Sequence, residues 1–165
     1  MYDTDRDGSL SGKELDKCPG IKDALEHYDI NHNGKITAAA IAARIREWQV
    51  SELGTTATKV RVLLDGQPLE GASVTFEPEP FLGPKVATAT GQTAKNGAVL
   101  LTIAADRQNP QSERKPGVHC GLYKVRISKQ IGGRETLPAR YNSQTELGAE
   151  IAPHSESRQF NLSSR

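Results

Sequence analysis

Asp3, Asp5, Asp7 and Glu14 are the residues of this chain whose types and spacing specify a chemistry. They lie in DTDRDGSLSGKE, a twelve-residue stretch with carboxylates at positions 1, 3, 5 and 12 and Gly8 at position 6. Calcium is a hard cation that takes about six to eight oxygens, and this spacing wraps one ion in a single short loop. Gly8 permits the sharp turn that follows three acidic ligands. Ser9, at position 7, offers its backbone carbonyl, and Ser11, at position 9, acts through water. Glu14 closes the site with both oxygens. Every constrained position of the D-x-D-x-D-G-x5-E pattern is filled, so the motif is specific.

A second stretch, DINHNGKITAAA, repeats the frame less fully. Asp29, Asn31, Asn33, Lys35 and Thr37 stand at its positions 1, 3, 5, 7 and 9, but position 12 is Ala40. The bidentate carboxylate is missing, and only Asp29 brings side-chain charge. Affinity in such loops follows ligand charge, so this site is expected to be weak or empty and its loop to serve as a structural partner. One calcium ion is therefore expected, with the second site doubtful. Leu10 and Ile36 fall at equivalent positions, which predicts a short two-strand bridge between the loops.

The elements that must position these loops are helical. Ser11–Lys17 reads as a short exit helix with Leu15 inward, ended by Cys18-Pro19-Gly20. Ile21, Ala24, Leu25 and Tyr28 follow the 3.6-residue period of a helix over Ile21–Tyr28. Thr37 caps an alanine-rich helix from Ala38 to about Gln49, with Ile41, Ile45 and Trp48 on one face. Small polar residues over Ser51–Thr58 mark a domain boundary. Beyond it the period becomes 2, as in Val60/Val62, Ala72/Val74/Phe76, Tyr123/Val125/Ile127 and Leu147/Ala149/Ile151, with Phe160 and Leu162 closing the chain. Asn96-Gly97 signals a hairpin turn. Short strands joined by glycine and proline turns argue an antiparallel β-sandwich. Residues 1–50 are thus a helical calcium module, 51–58 a linker and 59–165 a β-sandwich, an α+β chain of two domains.

The 165 residues carry 21 basic and 20 acidic side chains, a net charge of +1, which favours neither nucleic acid nor an anionic membrane as partner. No apolar run is long enough to span a bilayer. The first loop opens at the third residue, where a helix of two or three turns is expected to enter. The sequence is therefore read as starting inside a longer protein, with any export or lipid-anchoring signal upstream. Cys18 and Cys120 show no metal-ligand spacing; they are either two buried thiols or one disulfide joining the halves. His27, His32, His119 and His154 form no catalytic or ligand pattern, and no nucleophile elbow or phosphate loop is present.

DTDRDGSLSGKE and DINHNGKITAAA resemble an EF-hand pair. VRVLLDGQPLEGASVTFEP, the TAKNGAVLLTI hairpin, GLYKVRISK, LPARYNSQTEL and the closing FNL are similar to carboxypeptidase regulatory-like, or transthyretin-like (prealbumin-like), sandwiches. The combination resembles exported, mostly uncharacterised proteins of planctomycete-type bacteria. The resemblance implies no catalytic activity. The small purine-catabolic hydrolase of the transthyretin-like folds ends in a tyrosine-arginine-glycine-serine signature, whereas this chain ends FNLSSR. The resulting expectation is a non-enzymatic calcium-binding protein of the cell envelope, with calcium structural and the sandwich used for interaction or assembly. The alternatives are an accessory or regulatory domain of an envelope enzyme and a calcium-responsive switch.

Overall fold

A computed structural model describes residues 2–50, 55–104, 115–153 and 157–165. The helical part contains β1 (Ser9–Ser11), a 3-10 turn over Gly12–Lys17, α1 (Pro19–Asp23), α2 (Leu25–Tyr28), β2 (Lys35–Thr37) and α3 (Ala38–Val50). Strands follow: β3 (Val60–Leu64), β4 (Gln67–Pro68), β5 (Ser73–Pro78), β6 (Ala89–Gln92), β7 (Ala98–Val99), β8 (Thr102–Ile103) and β9 (Lys115–Pro116). The last are β10 (Gly121–Ser128), β11 (Gln130–Ile131), β12 (Arg134–Glu135), β13 (Gly148–Ile151) and β14 (Arg158–Leu162). Among the described residues no helix is long and apolar enough to cross a membrane.

The strands pair mostly antiparallel, in an arrangement compatible with a β-sandwich. One sheet has the order β13-β10-β5-β6-β8-β9; the other is β14-β3-β4, with β7 also paired to β3. Inward residues of both supply one core: Val60 and Val62 from β3, Phe76 from β5, Val125 and Ile127 from β10, Phe160 and Leu162 from β14. Phe76 joins the sheets through its ring contact to Phe160 at 6.2 Å, and packs on Tyr123 of its own sheet at 5.6 Å. The expectation of a wholly antiparallel sandwich needs one correction. β14 runs parallel to β3, from Arg158↔Val60 to Leu162↔Leu64. No hairpin links these two strands, so no tight turn imposes the antiparallel direction.

The period of 2 has a second consequence. Tyr123, Val125, Ala149 and Ile151 face the sandwich core, which turns Leu122, Gly148 and Glu150 to the opposite face. That face is buried too. Leu122 and Cys120 share an apolar cluster with Leu10, Leu15, Cys18, Ile21, Tyr28, Ile36 and Trp48 from the helical part. The helices therefore have no closed core of their own. Contact is closest at α1, where a Cβ placed on Gly148 would lie 1.8 Å from the Pro19 carbonyl oxygen. A Cβ on Gly20 would lie 2.9 Å from the Tyr123 backbone nitrogen. Glycine stands at both positions because helix backbone rests directly on strand backbone.

Three further expectations are refined. The helix expected over Ile21–Tyr28 is two short turns, α1 and α2, separated by Ala24 at φ −102°, ψ 18°. Of the expected linker, 51–54 lies outside the described residues. The rest is tied to the sheet: Thr56 forms a bridge with Val118, and Thr58 is buried. Cys18 and Cys120 are free thiols, not a disulfide. They share the second cluster without being bonded, and burial raises the pKa of both thiols, most strongly that of Cys18.

Candidate metal centre

The two loops fold as one backbone pattern used twice. Position 6 is left-handed in both, Gly8 at φ 82° and Gly34 at φ 73°. Position 4 is left-handed too, occupied by Arg6 at φ 61° and His32 at φ 51°, a conformation that side chains seldom adopt. The loops pair through β1 and β2 with Leu10 opposite Ile36, as their equivalent positions predict. Both side chains are buried in the second cluster. Thr37 Oγ1 accepts from the Ala40 N–H at 3.2 Å, the expected cap on α3.

In the first loop Asp3, Asp5 and Asp7 each bring a carboxylate oxygen within 4.8 Å of the others. Loop amides hold them there: Gly8 N–H donates to Asp3 Oδ2 at 3.1 Å, Asp7 N–H to Asp5 Oδ1 at 3.1 Å, and Ser9 N–H to Asp7 Oδ1 at 2.8 Å. Asp3 Oδ1 is buried and, among the described residues, has no hydrogen-bond partner. A buried carboxylate oxygen without a partner is costly unless a cation completes it. The donor set, carboxylates with serine oxygens and carbonyls, suits a hard cation.

Glu14 closes the loop from inside. Its Oε1 accepts from the Thr4 N–H at 2.6 Å, the Thr4 hydroxyl at 2.9 Å and the Asp5 N–H at 3.4 Å; its Oε2 accepts from the Ser11 N–H at 3.2 Å. An ionised carboxylate offers about four lone-pair sites, and these four donors match them, with room left only on Oε2. The Thr4 amide first, then the Thr4 hydroxyl and the other loop amides, lower its pKa from 4.5 to about 2. A depressed carboxyl stabilises the fold fully above its unfolded pKa and loses that contribution as pH falls through the folded one. In chelator-treated protein the Thr4 and Ser11 amides should thus lose protection from exchange between about pH 4.5 and 2. Protection unchanged down to pH 2 would show that Glu14 does not close the loop.

The second loop is satisfied by its own backbone. Asp29 accepts from Asn33 N–H at 2.9 Å and Gly34 N–H at 2.7 Å, one on each oxygen, and Asn33 Oδ1 accepts from Lys35 N–H at 2.9 Å. Lys35 turns its ammonium to the other loop, 2.9 Å from Asp7 Oδ2. That contact lowers the Asp7 pKa and raises that of Lys35.

Two polar arrangements around the loops were missed by sequence reasoning. Tyr2, just before Asp3, donates its hydroxyl to the buried Glu79 at 2.7 Å and packs edge-on against Phe81. Glu150 on β13 is buried between the helices and the sheet. Its Oε1 accepts from Arg44 Nε at 2.8 Å and from the Tyr28 hydroxyl at 3.4 Å, and its Oε2 lies 2.5 Å from His27 Nδ1. Nearby, Arg158 bridges the Glu150 carbonyl and Asp23 of α1. The contacts to Glu150 span 106 to 123 residues, and no local motif marks them. The only available signal was a glutamate alternating with apolar residues in LGAEIA. His154 lies outside the described residues.

No protein-family model matches the chain, and no curated protein matches it.

Proposed function

We propose that this is a non-enzymatic calcium-binding protein in which one ion, held by the Asp3–Glu14 loop, fixes a helical module against a β-sandwich. The observation that carries the reading is the convergence of Asp3, Asp5 and Asp7 around a loop in which Asp3 Oδ1 is buried without a partner. Asp3, Asp5, Asp7 and Glu14 are the side-chain ligands, Ser9 contributes its carbonyl and Ser11 acts through water. Calcium supplies charge compensation to four carboxylates that otherwise repel one another. On this reading residues 1–50 are an EF-hand pair with one working loop, and the second loop, short of charge at Ala40, stays weak or empty. The sandwich is transthyretin-like and serves interaction or assembly with a protein or another component of the cell envelope. Its place is the periplasm or the cell surface, where calcium is abundant and a structural ion is the natural use.

Calorimetric titration with calcium should show one dominant binding event together with a raised melting temperature. At a hundredfold excess over the dissociation constant the stabilisation is about 2.7 kcal/mol. Asp3→Ala and Glu14→Gln should abolish both signals, whereas Asp29→Ala should leave them nearly intact. No heat and no shift in the wild-type protein would end the proposal. A calcium-responsive switch is the second reading, favoured by an apolar cavity of ≈ 480 Å³ beside the first loop, lined in part by Leu10, Ile36, Ile41, Ile45 and Phe81. Following the same titration with a hydrophobic dye separates the two: a structural ion leaves the dye signal flat, and a switch raises it.

A further inference from the structure

Lys35 occupies one of the first loop's ligands. Its Nζ lies 2.9 Å from Asp7 Oδ2, while Asp7 Oδ1 accepts from Ser9 N–H at 2.8 Å. Both oxygens of the position-5 carboxylate are therefore engaged, unlike Asp3, whose Oδ1 has no partner among the described residues. Asp5 and Glu14 add their attraction to that of Asp7, so the ammonium sits in the field of most of the ligand set. The fold delivers it there. The β1–β2 register places Lys35 opposite Ser11, at position 7 of the second loop. Position 7 serves a metal through its backbone carbonyl only, so its side chain is free to take another role. Its own loop offers little competition, because Asp29 spends both oxygens on the Asn33 and Gly34 amides.

We propose that Lys35 is a built-in competing cation. In the metal-free protein it neutralises Asp7, and a divalent cation entering the Asp3–Glu14 loop must displace it. This rests on the calcium reading of that loop and adds its regulation. The loop binds more weakly than its four carboxylates alone imply, and its affinity is set by a residue of the partner loop. A charge-poor second loop then has a use beyond scaffolding: it carries the counter-charge that raises the calcium concentration at which the first loop fills. The ion pair is half exposed, with side-chain exposures of 50% for Lys35 and 34% for Asp7. Exposed pairs contribute little to folding. Removing the lysine should therefore change metal affinity and leave the fold intact.

The test is calcium titration of the wild-type chain, Lys35→Met and Lys95→Met, at low and at high salt. Melting curves of the calcium-free proteins check that all three are folded alike. Lys95 is an exposed lysine beside the Asn96-Gly97 turn of the sandwich, so its loss changes net charge by the same amount away from the loop. Lys35→Met should tighten calcium binding about tenfold at low salt, as expected for a unit charge lifted from beside a divalent ion. The gain should shrink at high salt, and Lys95→Met should stay within about twofold of wild type. Equal affinities for Lys35→Met and Lys95→Met would overturn the proposal while leaving the calcium site standing. Absence of binding in all three would remove the calcium reading and this inference with it.

Discussion

Replacing Gly148 with alanine should lower the stability of this protein by about 3 kcal/mol, a larger loss than alanine at any open glycine of the chain. The added Cβ would lie 1.8 Å from the Pro19 carbonyl oxygen and 2.6 Å from the Gly20 nitrogen. Both are backbone atoms at the start of α1, so no side chain can turn aside to make room. Either α1 lifts from β13 or the strand bends, and each choice opens the cluster that holds Cys18, Ile21 and Leu122. Gly148 is not left-handed, so conformational strain adds nothing and the cost is contact alone. Gly133→Ala is the useful contrast. That glycine has φ 79° with nothing within 4 Å of its Cβ position, so alanine there should cost about 1 kcal/mol through strain. Urea denaturation of the three proteins checks both values. If Gly148→Ala unfolds at the same urea concentration as Gly133→Ala, the close approach of α1 to the sheet is wrong.

The same face of β13 shows what the sequence could tell and where it stopped. Alternation in Leu147, Ala149 and Ile151 announced a strand with one buried face, and that face packs into the sandwich core. It also turned Gly148 and Glu150 outward, where solvent was the natural expectation. They are buried because helices from the other end of the chain cover them, and no local pattern encodes a covering element more than a hundred residues away. The two paired loops were legible for the opposite reason. Each is contained in twelve consecutive residues, so the turn at Gly8, the closing position of Glu14 and the Leu10–Ile36 pairing follow from spacing. Lys35 marks the limit of that legibility. Its number within the second loop was evident, but its reach to Asp7 depends on how two loops sit side by side. The parallel pairing of β14 with β3 was hidden likewise, since strand direction is readable from sequence only where a short turn joins neighbours.

Glu150→Ala should destabilise the protein by about 2–3 kcal/mol, and Glu150→Gln by roughly half as much. Glu150 is 3% exposed and its carboxylate gathers Arg44 from α3 with His27 and Tyr28 from α2. Alanine removes the acceptor and leaves the Arg44 guanidinium, half-buried and stacked near Trp48 at 5.9 Å, with the exposed Glu47 as its remaining ionic partner among the described residues. Glutamine keeps one oxygen to accept from Arg44, but its amide donors then face the His27 and Tyr28 side. The two helices concerned flank the second loop: α2 ends at Tyr28, directly before Asp29, and α3 begins at Ala38. Loss of the latch should therefore appear first as faster amide exchange in α2 and in the first turns of α3, with the β5 and β10 amides unaffected until global unfolding. Uniform loss of protection through both sheets would mean that Glu150 supports the sandwich itself. An unchanged midpoint in Glu150→Ala would mean that the cluster contributes nothing net, as happens when desolvation cancels the attraction of a buried pair. The expected pattern instead makes Glu150 the point where the sheet holds the helical part. Stiffness at the two loops then depends on a carboxylate that lies outside both of them.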